Sequence, residues 1–182
     1  MELYPDVTFL QQIFGLAKQR EPFQPLYAAL VAEGRDAFWY RDGGVPDTVD
    51  GRFDMLSSVL AMALLRLEAD DPAGRRPSVL LTELFVEDME NSLRQIGIGE
   101  YVVGKHVGKL MGALGGRLGA YREAIAGGGD LSGPVRRNIF HEAPPSEEQV
   151  ALVAERLERF RARLEATPLD ALLSGRIADD PA

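Results

Sequence analysis

The chain has 182 residues, a formal net charge of −8 and no cysteine. That length suits one domain with a real core. The acidic balance opposes nucleic-acid binding, which needs a dominant basic surface, and the missing thiols exclude disulfides, cysteine nucleophiles and thiolate metal sites.

The opening MELYPDVTF is acidic and broken by Pro5, unlike a secretory signal or an Arg-rich transit peptide. Val7 to Lys18 forms a first amphipathic segment, with Phe9, Ile13 and Leu16 on one side. Pro22 to Glu33 follows, with Leu26, Ala29 and Leu30 at helical spacing and Gly34 as its stop. The aromatic run Phe38-Trp39-Tyr40 leads into a loop from Arg41 to Val49.

Asp50 is the expected N-cap of the next helix, which carries Phe53, Leu56, Leu60, Ala63 and Leu67 on one side and Met55, Val59, Met62 and Leu65 on the other. A helix apolar nearly all round belongs at the centre of a bundle. Its longest uncharged apolar run, Val59 to Leu65, is far short of the ~20 residues of a membrane span. The chain is therefore expected in the cytosol or on a membrane surface.

Asp70 to Gly74 reads as a turn, and Pro77 suits the first turn of a helix running to Ile96, broken by Gly97 and Gly99. Tyr101 to Ala126 is the next helix, ended by Gly127-Gly128-Gly129. A short helix around Val135 to Phe140 precedes an Ala143-Pro144-Pro145 linker. Ser146 and Gln149 match a capping box for a last long helix, with Val150, Val153, Leu157, Phe160 and Leu164 on its inner face and Glu155 four residues ahead of Arg159 outside. No strand pattern survives. The expectation is one all-α domain over residues 1–175, an irregular or orthogonal bundle of about seven helices, with residues 176–182 as a loose tail.

Chemistry has few advocates. His106 and His141 lack neighbouring ligands for zinc, and Asp42, Asp47, Asp50 and Asp54 have the wrong spacing for a calcium loop. Gly127-Gly128-Gly129-Asp130 lacks the ending of a phosphate loop. Asp88, His106 and Tyr101 are the few groups an enzyme could use, so no cofactor, metal or catalytic residue is assigned. Asp88 falls among Leu81, Leu84 and Phe85, where a buried carboxylate must be paired; Arg52 or Lys105 is the expected partner. On the helix after Gly99, Gly104, Gly108, Gly112, Gly115, Gly116 and Gly119 form a stripe beside the apolar one. Close approach of another helix of the same domain is the plainer explanation, and a partner's helix the sharper one. Lys105 and Lys109 flank that stripe, a basic face able to meet lipid head groups or an acidic surface.

Val45 to Met55 (VPDTVDGRFDM), preceded by Phe38 and Tyr40-Arg41-Asp42, resembles the signature of the ubiquinol–cytochrome c chaperone family. Phe85 to Met111 (FVEDMENSLRQIGIGEYVVGKHVGKLM) is similar to that family's second block, and Arg137-Asn138-Ile139-Phe140 to a short third one. The resemblance spans about Pro25 to Phe140. It implies an all-α, non-catalytic assembly factor for ubiquinol–cytochrome c reductase, whose mitochondrial relatives act on newly made cytochrome b at the membrane with a small helical co-chaperone. This chain reads as a bacterial, cytoplasmic member peripheral to the inner membrane, its client cytochrome b or another subunit of the reductase. Val45, Pro46 and Arg52 of the loop and the Lys105–Lys109 flank are the expected partner-binding residues. A peripheral lipid-binding protein without a dedicated client is the alternative.

Overall fold

A computed structural model describes residues 20–95, 97, 100–141 and 144–179, except the side chains of residues 100 and 101. Every regular element among them is helical. After a 3-10 turn, Glu21–Phe23, come α1 (Gln24–Gly34), α2 (Ala37–Arg41), α3 (Val49–Ala69), α4 (Arg75–Gln95), α5 (Glu100–Ala126), α6 (Ser132–Ile139), α7 (Glu147–Ala166) and α8 (Leu169–Leu173). The all-α expectation holds. The first amphipathic segment, Val7 to Lys18, lies outside the described residues, as do Ile96, Gly99 and Ala143.

The apolar circumference of α3 puts it in the middle. Asp54 through Leu64 are buried without a break, and α3 packs against α1, α4, α5, α6 and α7. Its N-cap is Thr48 and not Asp50. Thr48 has extended backbone and its hydroxyl accepts the Gly51 N–H at 3.0 Å, whereas Asp50 is exposed, already inside the first turn, and faces the helix's positive end. At α7 the Ser146–Gln149 capping box forms as its sequence requires, and Arg159 donates to Glu155 at 3.1 Å.

Arginines join the helices. Arg66 of α3 reaches the C-terminus of α7 and donates to the carbonyls of Leu164 (3.0 Å) and Thr167 (3.2 Å), two of the acceptors that a helix end leaves open. Arg156 of α7 pairs with Glu33 and Asp36, each at 3.0 Å, and lies 4.6 Å from the Phe38 ring centroid and 5.0 Å from that of Trp39. It thereby holds α2 against α7 by charge and cation–π attraction together. The end of the chain is also anchored. Arg163 donates to the Ala178 carbonyl at 2.8 Å, Ala178 N–H donates to the Thr167 hydroxyl at 3.0 Å, and Ile177 packs on the core. The expected loose tail from Arg176 is therefore bound to the bundle as far as Ala178.

Candidate functional site

The segment from Phe38 to Met55 is fixed by its own backbone demands. Asp36 caps α2, its carboxylate accepting the Phe38 N–H at 2.8 Å, and this bond, with Arg156 beside it, holds the Asp36 carboxyl below its usual range. The Trp39 indole donates to the Glu33 carbonyl and the Tyr40 hydroxyl to the Gly34 carbonyl, both at 2.7 Å. The loop then folds tightly onto α3: a Cβ at Gly51 would stand 2.0 Å from the Pro46 carbonyl oxygen, so only glycine fits there. Val45 is 2% exposed and belongs to the core. Its side chain anchors the loop and presents nothing to a partner in this arrangement. Arg52 is exposed, bound to Asp47 at 2.7 Å and 5.7 Å from the Tyr40 ring.

Early in α3 begins a buried charge network that the sequence expectations do not include. Asp54 of α3 and Arg117 of α5 are hydrogen-bonded with side chains 4% and 6% exposed. Arg117 also donates to the Asn138 carbonyl at 2.9 Å and stands 5.3 Å from the Phe53 ring. The second oxygen of Asp54 is 2.7 Å from His141 Nε2. Ser57 and Ser58 donate to the Asp54 carbonyl at 3.1 and 2.7 Å, and Tyr121 donates to Ser58 at 3.0 Å. Burial raises the Asp54 carboxyl above its usual range, further than Arg117 and His141 draw it down, and burial pushes the Tyr121 hydroxyl up to about 12. A carboxylate, an imidazole and three hydroxyls have the makings of acid–base chemistry. Yet Asp54, Ser58 and Tyr121 are closed off and His141 alone reaches solvent, so the network ties α3, α5 and the end of α6 together.

Asp88 does not take the cation expected for it. It is half-buried and accepts the Tyr27 hydroxyl at 2.7 Å, while Arg52 is spent on Asp47 and Lys105 is exposed. A neutral donor satisfies a carboxylate that keeps some water. Burial and Asp88 together drive the Tyr27 hydroxyl well above its ordinary range. Lys105 and Lys109 are exposed on α5 without an ion-pair partner among the described residues. His106 Nδ1 stays within its own helix, 3.0 Å from the Val102 carbonyl. The Tyr101 side chain is not among those described.

The glycine stripe of α5 corrects another expectation. A Cβ built on Gly104, Gly108, Gly112, Gly115, Gly116 or Gly119 meets no atom within 4 Å. No described helix approaches that face, because α5 turns Val103, Leu114, Arg117 and Tyr121 inward instead. Each glycine costs its helix about 0.8–1 kcal/mol relative to alanine, and internal packing does not return it.

Beside this stripe runs a groove of about 740 Å³ between α4 and α5. Leu64, Val79, Val86, Met111 and Leu118 supply its apolar lining, and Glu68, Glu83, Glu87 and Glu90 stand around it with Arg20. Val79 is 59% exposed. Along α4 the lining from Val79 to Glu90 covers roughly 17 Å, three helical turns. Glu87 is bound by Arg20 at 2.8 Å, Glu68 by Arg122 at 2.8 Å, and Glu90 loosely by Arg94 at 3.4 Å.

A bundle whose ionisable core network meets solvent through His141 alone, and whose open features are a groove, a glycine face and a basic flank, is a helical scaffold for binding. The chain belongs to the ubiquinol-cytochrome C chaperone family, whose model matches residues 41–179. The crystal structure of the Cbp3 homolog from Brucella abortus is similar to it, with a TM-score of 0.76 and 29% identity over 93% of this chain and 95% of that one. No curated protein matches the chain. Membership assigns a chaperone role in assembly of ubiquinol–cytochrome c reductase, and both findings point to a non-catalytic protein.

Proposed function

We propose that this protein holds newly made cytochrome b at the cytoplasmic surface of the inner membrane until it enters ubiquinol–cytochrome c reductase, with a small helical co-chaperone as a second partner. The family match over residues 41–179 carries this reading. No helix among the described residues is long and apolar enough to cross a membrane, which fits a peripheral station. Half-buried Pro46 of the loop, exposed Arg52 on the first turn of α3, and Lys105 and Lys109 on α5 are the proposed contacts. The large exposed apolar side chains among the described residues, Val49, Val79 and Val102, lie on three different helices. That scatter favours a protein client over a face dipped into lipid.

The test is deletion and complementation. Membranes from a deletion strain are expected to lose the b-type haem absorbance of the assembled reductase, and the wild-type gene to restore it. Lys105→Glu with Lys109→Glu is expected to restore it only in part. Normal reductase in the deletion strain would remove the proposed role.

A further inference from the structure

The groove between α4 and α5 has a character that suits one class of occupant. We propose that it seats an amphipathic helical segment of the client, apolar on one face and flanked by lysine or arginine; the proposal rests on the chaperone reading above. The lining from Leu64, Val79, Val86, Met111 and Leu118 is apolar and long enough for about three turns of a helix. Four carboxylates stand around it, three of them paired with Arg20, Arg94 and Arg122, so the unbalanced negative charge sits at Glu83. Glu83 has no ion-pair partner among the described residues, and the bonds of Glu68, Glu87 and Glu90 are partly exposed surface pairs that an incoming cation can replace.

The α5 wall adds room. At about 100° per residue, Gly104, Gly115 and Gly108 lie within about 60° of Met111, and a Cβ on any of them would meet nothing within 4 Å. An incoming helix can therefore bring its backbone close to α5, as small residues permit between packed helices. The client supplies the complementary charge: cytoplasm-facing segments of membrane proteins carry an excess of lysine and arginine, and this chain is acidic overall, at −8.

The experiment titrates the full-length protein with a fluorescent helical peptide of leucine and lysine, and with its leucine and glutamate counterpart, by anisotropy. The Leu/Lys peptide is expected to bind and its counterpart to bind poorly. Glu83→Lys is expected to weaken the Leu/Lys peptide by about threefold to tenfold. Gly108→Ala with Gly115→Ala is expected to weaken it too while raising Tm, a combination that damage to the fold cannot produce. Equal affinity for both peptides, or unchanged affinity in both variants, overturns the proposal. Binding that emerges only when residues 1–19 are deleted also overturns it, and gives the groove to the chain's own N-terminal segment. Recovery of cytochrome b with the tagged protein separates the two readings. Recovery by wild type but not by Glu83→Lys supports both. Undiminished recovery by Glu83→Lys overturns the groove and leaves the chaperone role standing, whereas no recovery by wild type removes both.

Discussion

Arg117 and Asp54 hold each other in the core, and substituting either exposes the cost. Arg117→Met leaves the Asp54 carboxylate, 4% exposed, with His141 as its one remaining side-chain partner. Breaking a buried pair from one side costs about 3–5 kcal/mol. The lost bond to the Asn138 carbonyl and the lost contact with Phe53 place Arg117→Met in the upper part of that range. Asp54→Leu strands the guanidinium and is expected to cost a similar amount. The double variant replaces both charges with apolar groups and is expected to cost less than either single change, because neither charge is left uncompensated. The coupling energy then exceeds the cost of either single change, about 4 kcal/mol or more, beyond the usual span for residues in contact. Urea unfolding of the four proteins at pH 7 measures it, provided that the m-value is common to all. A double variant as unstable as the sum of the singles would refute the pairing. A second signature is pH dependence. Burial holds the Asp54 carboxyl above its unfolded range, so just above that range the folded state binds the extra proton. Wild-type stability is then expected to fall as pH rises through that window, and Asp54→Leu to lose the slope.

Alanine at Gly112 and Gly116, exposed on α5 with nothing near their missing Cβ atoms, is expected to stabilise by about 2 kcal/mol in total. That raises Tm by about 4–8 °C; a lower Tm in a thermal scan would mean that something packs on that face. Gly51→Ala drives a methyl into the Pro46 carbonyl, 2.0 Å away, and is expected to cost about 2 kcal/mol or more by denaturant unfolding; a neutral result would show that the loop yields there. Asp36→Ala removes the α2 cap and is expected to cost about 1 kcal/mol near neutrality. Because the Asp36 carboxyl titrates below its ordinary range in the fold, its contribution is present above the unfolded range and is lost as pH falls through the folded one. The gap between wild type and Asp36→Ala should therefore close in acid, and a gap independent of pH would contradict the carboxylate's role.

The central helix was legible because apolar residues on all its sides admit one location, and the Ser146 capping box because both halves of its bond lie within four residues. The start of α3 was harder to read. Thr48 and Asp50 are both capping types, and what selects Thr48 is the extended backbone delivered by the Pro46 loop. Asp54 and Asp88 both interrupt apolar faces, and spacing alone does not tell which of them is buried beside a cation, because their partners come from distant elements. One sequence signal existed: Arg117 lies three residues after Leu114 and four before Tyr121, on the inward stripe of α5, where a cation demands a buried anion. The glycine stripe was visible but its orientation was not, because spacing records which residues share a face and not what that face meets. The groove was invisible for the same reason, since its walls come from three helices whose contact is set by packing around α3.

The most direct measurement is affinity purification of the tagged protein from gently solubilised membranes, with co-purified proteins quantified by mass spectrometry. Enrichment of cytochrome b over other abundant membrane proteins, reduced by Lys105→Glu with Lys109→Glu, is the expected result. Recovery of cytochrome b no greater than that of unrelated membrane proteins would contradict the proposed client.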